Sequence, residues 1–410
     1  MMNSAGKKTL FYYNPTCEMA IENGTLSYMP PENLKQFERD IAPLMGFAGS
    51  ASDTIICSHQ PDAQFISFWE KANKIFPQFL SFGERKTLAH GSIDQIIPWG
   101  WSYAMKHQLK HLIHNLSPET HIPEVSSKEF KQFYSRLTSV RIAKQLFEKQ
   151  DRLPSIAYQP TTPKIFSSTE AVLDYFYTHP QGIILKTLWS SSGRGLCLLR
   201  TTREFEQAKP WIKARIKQHQ FIIAEPLLNK LQDASFQFMI NFDGTYEALG
   251  INYFDTDGSG RFQKEYLGIP SKIHSHLPQD NTWIDEISAL LIESMQDLEI
   301  HQNHQGSVGI DVLFFYDESG TIRLMPFIEA NLRYNMGLIN LHIKKHIHPD
   351  SAGDWQITPF KNGEWSDFYH QYIKKHPAIY KDGLLYEGFM PLTPCHPTSH
   401  FAAWGFIKPI

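Results

Sequence analysis

The stretch Gly309-Ile310-Asp311-Val312-Leu313-Phe314-Phe315-Tyr316-Asp317-Glu318-Ser319-Gly320-Thr321, running on to Glu329-Ala330-Asn331-Leu332-Arg333, reads as a β-hairpin. Gly320 suits the left-handed position of a three-residue loop, which pairs Asp317 with Thr321. Counting outward from that pair sets Gly309 opposite Glu329. Side chains alternate with period two along a strand, so Asp311, Glu329, Asn331 and Arg333 are expected on one face. Two carboxylates and an amide oxygen within diagonal reach make a set of hard oxygen donors, the kind that suits Mg²⁺. An arginine beside them can offset charge on a transferring phosphoryl group or hold a carboxylate. The apolar runs VLFFY and MPFI place this polar row next to buried strand, where an isolated carboxylate is costly.

Upstream, Gly182-Ile183-Ile184-Leu185-Lys186 ends an apolar strand on a lysine. Thr187 to Arg194 then lead through Ser190-Ser191-Ser192-Gly193 to Gly195 and a second apolar strand. Small residues let backbone N–H groups approach an anion, and Lys186 adds a full charge to that cradle. The segment is not a P-loop, because GxxxxGK[ST] followed by a helix is missing.

The rest of the chain frames these two features. Its 410 residues imply two to three domains at roughly 150 each, and 42% hydrophobic against 20% charged residues is a globular composition. Lys+Arg 39 against Asp+Glu 42 gives a net charge of −3. That balance lacks the basic excess of a chain held to nucleic acid or anionic lipid, so anion binding has to be local. Four dispersed cysteines (Cys17, Cys57, Cys197, Cys395) form neither a disulfide framework nor a zinc motif, which fits a reduced cytoplasm. No apolar run reaches the ~18 residues of a membrane span. The start, MMNSAGKKTLFYYNP, reads as a first buried strand and not as a signal peptide.

In the first third, strand signals at Thr9–Tyr13 and Asp53–Cys57 flank a helical pattern over Pro30–Met45, in which Leu34, Phe37, Ile41 and Leu44 recur at helical spacing. Further helices are expected at Ala63–Ile75 and Tyr103–Asn115, with a strand near Arg85–Ala89. This alternation predicts a small open parallel sheet. The first βα turn, Asn14-Pro15-Thr16-Cys17-Glu18, lacks the glycine-rich dinucleotide fingerprint. A linker is expected over Ser117–Ser127, then helices at Ser139–Lys149 and Ser168–Thr178. Hairpins follow: Gly182–Lys186 with Gly195–Arg200, and Phe236–Asn241 with Tyr246–Phe254. A helix over Asp280–Leu298 precedes the acidic hairpin, and the last forty residues read as aromatic and extended. His107, His111 and His114 share a helix face with no partner ligand in sight, and read as polar surface, as do His342, His346 and His348. Asp255-Thr256-Asp257-Gly258-Ser259-Gly260 begins like a calcium loop, but its twelfth position is Tyr266, so a hairpin turn is expected.

Taken in order, the lysine–glycine loop, Glu225, and Asp311 followed by Glu329-x-Asn331-x-Arg333 resemble the ATP-grasp superfamily over roughly residues 125–345. The resemblance implies an α/β and α+β fold: a Rossmann-like pre-ATP-grasp domain at 1–125, a small subdomain with the glycine-rich lid at 126–224, and a C-terminal subdomain with the metal site and aromatic tail at 225–410. It implies ATP and Mg²⁺ as cofactors. Lys186 would contact the phosphates, with Ser191, Ser192, Gly193, Arg194 and Gly195 as the lid over them and Arg141 (or Lys144) as a further phosphate contact. Glu225 and Leu227, in Phe221-Ile222-Ile223-Ala224-Glu225-Pro226-Leu227-Leu228, would read the adenine, and Asp233 would hold the ribose. Asp311, Glu329 and Asn331 would bind the metal, with Arg333 and Lys186 in catalytic roles. Two departures stand out. Asp233 replaces the commoner glutamate, about one residue further from Glu225 than expected, and Leu332 replaces the proline of Glu-x-Asn-Pro-Arg. The activity implied is a cytoplasmic carboxylate–amine ligase acting on small molecules through an acyl phosphate, with no nucleic-acid or membrane partner and with homo-oligomerisation left open. An ATP-grasp kinase and a non-catalytic nucleotide-binding module are the alternatives.

Overall fold

Leu10 and Phe11 are buried between flanking elements, and with β-branched Thr9 they favour an extended, two-sided buried strand. This strand, β1 (Thr9–Tyr12), anchors the N-terminal part of a computed structural model that describes residues 7–84, 88, 91–114, 116, 120–158, 162–190 and 195–410. The chain divides into two units: Met1–Ser126 with Lys264–Gly268 and Arg333–Ile410, and Ser127–Gln263 with Ile269–Leu332.

In the first unit, β1 is followed by α1 (Cys17–Asn23), α2 (Glu32–Ile41), β2 (Thr54–Ile56), α3 (Ala63–Glu70), β3 (Gln78–Leu80) and β4 (Gln95–Pro98). All pairings are parallel and the strand order is β3-β2-β1-β4. The expected open parallel sheet is therefore present. Asp53 ties the sheet's start together, its Oδ1 accepting Thr9 N at 2.8 Å. The apolar spacing over Pro30–Met45 splits into α2 and a 3₁₀ segment, Ala42–Phe47, where Pro43 has no N–H for an α-helical bond. Similarly, one helix expected over Tyr103–Asn115 is two, α4 (Tyr103–Gln108) and α5 (Lys110–Ile113), broken at Leu109. His107, His111 and His114 are exposed on them. The strand expected near Arg85–Ala89 falls on residues mostly outside the described ones; the nearest described strand is β3.

The second unit opens with α6 (Lys128–Phe133) and α7 (Arg136–Phe147), the latter capped by Ser135. A four-stranded antiparallel sheet of order β5-β8-β6-β7 follows, from β5 (Lys164–Phe166), β6 (Ile183–Lys186), β7 (Leu196–Leu199) and β8 (Ile222–Pro226). It packs on α8 (Thr169–Tyr177) and α9 (Thr202–His219) around Val172, Phe176, Phe205 and Ile212. Apolar spacing gives no hint of α9, whose start is written instead as a capping box: Thr201 accepts Glu204 N, and the Glu204 side chain accepts Thr201 N at 3.0 Å. A second antiparallel layer, in the order β13-β12-β9-β10, is built from β9 (Asn229–Ile240), β10 (Tyr246–Thr256), β12 (Gly306–Tyr316) and β13 (Ile322–Asn331). Between β10 and β12 the chain forms β11 (Phe262–Tyr266), α10 (Ser271–His274) and α11 (Thr282–Asp297). Even-numbered residues of β9 (Ala234, Phe236, Phe238, Ile240) are almost fully buried, and Trp283 of α11 packs edge-on against Phe236 and Phe314. Odd-numbered Asp233, Ser235 and Gln237 therefore face the other way.

The tail belongs to the first unit. Here α12 (Met336–Lys344), β14 (Ser351–Pro359), α13 (Glu364–Lys375), β15 (Ile379–Lys381), β16 (Leu384–Pro391) and β17 (Phe401–Pro409) complete the chain. The strands align as β11-β14-β17-β16-β15, covered by aromatic residues of α13 such as Trp365 and Tyr369. The extended, aromatic reading of the last forty residues holds for β15 to β17.

His342, His346 and His348 are not a polar surface. His342 is buried on the inner face of α12, and His348, beyond the end of that helix, is buried where its N donates to Leu385 O at 2.9 Å. Burial, together with the charges of Lys345, Lys74 and His346, pushes His342 down to about 3. Burial also pushes His346 down to about 4, although its ring shares a hydrogen bond with Ala72 O. Both folded values lie below the ordinary 6.5. The unfolded chain therefore binds these protons first, so the stability they contribute is full above about pH 6.5 and declines as pH falls from there toward 4 and 3. Melting temperature measured from pH 8 to pH 4 should fall through that window, and His342→Asn should show a shallower slope, smaller by about one proton.

Candidate functional site

The second unit brings the two sequence features together. Lys186 ends β6, and register places Ile184 opposite Glu225 on β8, so Lys186 and Glu225 are diagonal neighbours on one face. The Lys186 side chain is only 5% exposed, and Nζ donates to Glu225 Oε2 at 2.8 Å and to Ile328 O at 3.0 Å. A buried ammonium needs such partners, since leaving it unpaired would cost several kcal/mol. The second partner is the residue immediately before Glu329, so the lysine meets the acidic strand directly.

Asp317 N donates to Thr321 O at 2.9 Å, and the loop closes as its composition implies. Asp317 Oδ1 accepts Ser319 N and Thr321 N, and Gly320 takes φ +79°. The same Asp-x-Ser-Gly device closes the turn at Asp257-Gly258-Ser259-Gly260, confirming a hairpin turn there. Pairing outward from Asp317 runs in the expected register to Leu313 opposite Met325, and then changes. Asp311 lies opposite Glu329 and Gly309 opposite Asn331, two residues away from the count made on the sequence. Val312 faces the three residues Pro326, Phe327 and Ile328, because Pro326 has no N–H to donate to the ladder and the strand bulges there. Two extra residues preserve parity. Asp311 and Glu329 thus face each other across the strands, and Asn331 Nδ2 donates to Asp311 Oδ2 at 3.1 Å. Arg333 lies past the end of β13 and within the first unit, where Nε donates to Glu18 Oε1 at 2.6 Å.

One residue absent from the sequence reading joins this cluster. Arg136, in the first turn of α7, is only 8% exposed and grips Glu329 with both arms: Nε to Oε1 at 2.9 Å and Nη2 to Oε2 at 3.2 Å. The same guanidinium donates to Thr187 O at 2.6 Å, Ser190 Oγ at 2.9 Å and Ser190 O at 3.0 Å. It joins the acidic strand to the base of the lysine loop. The helix hydroxyl Ser139 adds a bridge to the backbone of Ala330 at 3.1 Å. Arg141 on the same helix is exposed, and Lys144 pairs with Glu148 at 3.9 Å on the surface. The signal that could have found Arg136 is the capping serine before it, which aims the first turn of the helix.

Of the loop itself, Ser191, Ser192, Gly193 and Arg194 lie outside the described residues. Gly195 O accepts Thr187 N at 2.9 Å. A Cβ on Gly195 would lie 2.1 Å from Thr187 Oγ1 and 2.2 Å from Ser190 Oγ, so this closure requires glycine. On the hinge, Leu227 N donates to Gly182 O at 3.0 Å. Asp233 on β9 accepts Thr256 Oγ1 at 2.8 Å and pairs with Lys230.

The donors Asp311, Glu329 and Asn331 are all oxygen-bearing and adjacent, which fits a hard divalent cation that keeps water and phosphate oxygens as its other ligands. No group of three or more His, Cys, Asp or Glu able to hold a metal occurs among the described residues. A cation here would accordingly need the amide oxygen of Asn331 to complete the set.

No protein-family model and no curated protein matches this chain. Solved structures do. The biotin carboxylase–β,γ-ATP complex from Campylobacter jejuni is similar at TM-score 0.51 and 12% identity, over 98% of this chain and 87% of that one. The biotin carboxylase domain of the Hydrogenobacter thermophilus 2-oxoglutarate carboxylase, solved with MgADP, ADP and bicarbonate, is similar at TM-score 0.50 and 10% identity, over 98% and 86%. N5-carboxyaminoimidazole synthetase from Staphylococcus aureus, solved with ADP, gives TM-score 0.47 and 11% identity over 99% and 93%. The two biotin carboxylase structures carry the conclusion: this chain has the ATP-grasp fold. No described helix is long and apolar enough to cross a membrane.

Arg136→Leu should leave the largely buried Glu329 carboxylate without its cationic partner, lowering unfolding free energy of the second unit by about 3 kcal/mol in urea denaturation. Combining it with Glu329→Gln should recover part of that loss, since the second change removes the stranded charge. Strict additivity of the two changes would mean that the pair does not interact.

Proposed function

We propose that this chain is an ATP- and Mg²⁺-dependent ligase that activates a small-molecule carboxylate as an acyl phosphate and joins it to an amine. The observation that carries this reading is the contact of Lys186 Nζ with the Ile328 carbonyl, beside Glu329. It joins a phosphate-binding type of loop to a hard-oxygen cation set within one unit, on a fold shared with nucleotide-bound carboxylases.

In this reading the division into 1–125, 126–224 and 225–410 describes a pre-ATP-grasp domain, a lid-bearing subdomain and a metal-bearing subdomain. Lys186 and the loop from Ser191 to Gly195 hold the triphosphate. Arg136, bound to the loop base, sets the loop's position and takes the place given above to Arg141. Glu225 orients Lys186 and, with the backbone at Leu227, borders the adenine, while Asp233 holds the ribose. Asp311, Glu329 and Asn331 would hold Mg²⁺, which when bound neutralises phosphate charge. The carboxylate oxygen attacks the γ-phosphorus, the bond to the β–γ bridging oxygen breaks, and ADP leaves. Lys186 offsets the negative charge on the transferring group and on the acyl phosphate. The amine nitrogen then attacks the acyl carbon, phosphate departs, and one proton is released.

The decisive measurement is ADP and phosphate release with Mg²⁺ across a panel of carboxylates and amines. Release of both with a coupled product supports ligation. A stable phosphorylated product points to a kinase, and nucleotide binding without turnover to a sensing module. Glu329→Gln and Lys186→Met should each lower Mg²⁺-dependent turnover by at least about a hundredfold. Circular dichroism should show the fold of both variants retained. Undiminished turnover in Glu329→Gln would remove the metal assignment.

A further inference from the structure

Ser135 accepts Leu137 N and opens α7, which sets Arg136 in its first turn. From there the backbone N–H of Arg136 donates to Leu188 O at 2.9 Å. Its guanidinium carries five N–H groups, and each has a protein acceptor. Two go to Glu329 Oε1 and Oε2, and the others to Thr187 O, Ser190 Oγ and Ser190 O. One side chain thus closes both oxygens of a carboxylate and ties down the turn that precedes the glycine loop.

Glu329 is held along the chain as well. The carbonyl before it accepts Lys186 Nζ at 3.0 Å. Ser139 Oγ lies 3.1 Å from the N and 3.3 Å from the O of Ala330 after it. With the backbone fixed on both sides, only rotation of the side chain can move the carboxylate. Its side chain is 20% exposed, open enough for a small ion. Asp311 opposite is engaged too, Oδ2 accepting Asn331 Nδ2 at 3.1 Å. A divalent cation arriving at these oxygens meets donors that already hold them. Mg²⁺ demands near-ideal geometry around its oxygens, whereas a guanidinium fork takes up the lone pairs that face it. An ion close enough to bond Glu329 is also close enough to Arg136 for like charges to repel strongly in a buried setting.

We propose that Arg136 competes with the divalent cation for Glu329, so that cation binding releases the guanidinium and thereby loosens the Thr187–Ser190 turn. Arg136 is then a positioning residue: it sets cation affinity through Glu329 and loop position through the turn. The proposal rests on Glu329 being a cation ligand, as in the ligase reading. Trp189 lies inside the turn and reports on it. Its Nε1 donates to Lys131 O at 3.1 Å, and its ring centre is 5.4 Å from that of His219.

The test uses the full chain, with Mn²⁺ alone titrated calorimetrically into wild type, Arg136→Met and Glu329→Gln. Arg136→Met keeps an apolar side chain and removes the competing charge, so it should bind Mn²⁺ about tenfold tighter or more. Glu329→Gln should bind Mn²⁺ about tenfold more weakly than wild type. An arginine that only braces the site predicts the opposite for Arg136→Met, since losing its bonds loosens the ligands. Trp189 emission, taken as the difference between wild type and Trp189→Phe, should shift as Mg²⁺ saturates. The same difference in the Glu329→Gln background should stay flat. Mn²⁺ affinity in Arg136→Met equal to or below that of wild type overturns the proposal, as does a Trp189 signal unmoved by Mg²⁺. Should Arg136→Met fail to fold, the Trp189 titration decides, together with Arg136→Lys, which cannot fork a carboxylate and should also bind Mn²⁺ more tightly. Equal Mn²⁺ affinity in Glu329→Gln and wild type sinks the metal assignment of the ligase reading and this proposal with it. Glu329-dependent Mn²⁺ binding that does not tighten in Arg136→Met sinks the proposal alone.

Discussion

Two buried cations govern the second unit. Lys186 and Arg136 are 5% and 8% exposed, and neither can stay there as a bare charge. Each is consequently bound on two sides. Lys186 spans Glu225 and the Ile328 carbonyl, while Arg136 spans Glu329 and the Thr187–Ser190 turn. The small sheet, the first turn of α7 and the acidic hairpin are cross-linked through these two side chains. In a low-dielectric setting such pairs are stronger than in water and far less tolerant of losing a partner. The arrangement is accordingly preorganised: both positive charges are held in fixed positions by protein partners.

A second constraint comes from Pro326. Its missing N–H interrupts the β12–β13 ladder and lets three residues stand against Val312. Had the bulge held one extra residue, Glu329 and Asn331 would have turned to the apolar face with Trp283 and Phe314. Two extra residues keep the face and shift the pairing, placing Asp311 directly opposite Glu329. The donors of the proposed cation site therefore owe their closeness to a defect in the sheet.

The first unit solves a different problem. Its four parallel strands need both faces covered, which α-helical crossovers provide. Glu18 and Arg333 meet within it from a helix and a segment over three hundred residues away in sequence. No local pattern marks such a gathering.

Period-two alternation determined, from sequence alone, that Asp311, Glu329 and Asn331 share a face, because strand parity is a local property that survives an even bulge. The turn at Gly320, the strand ending at Lys186 and the alternating N-terminal pattern were legible for the same reason: each depends on a handful of neighbouring residues. The capping box opening α9 was equally local and went unread, since its apolar spacing is weak. What tertiary structure decided was partner choice. Arg136, not Arg141, turns inward because the docking of α7 against β13 selects which side of the helix is buried. Arg333 meets Glu18, and His342 is buried, through packing between distant segments that no spacing rule encodes. Periodicity tells a side chain which way to point; only the assembled core supplies what it points at.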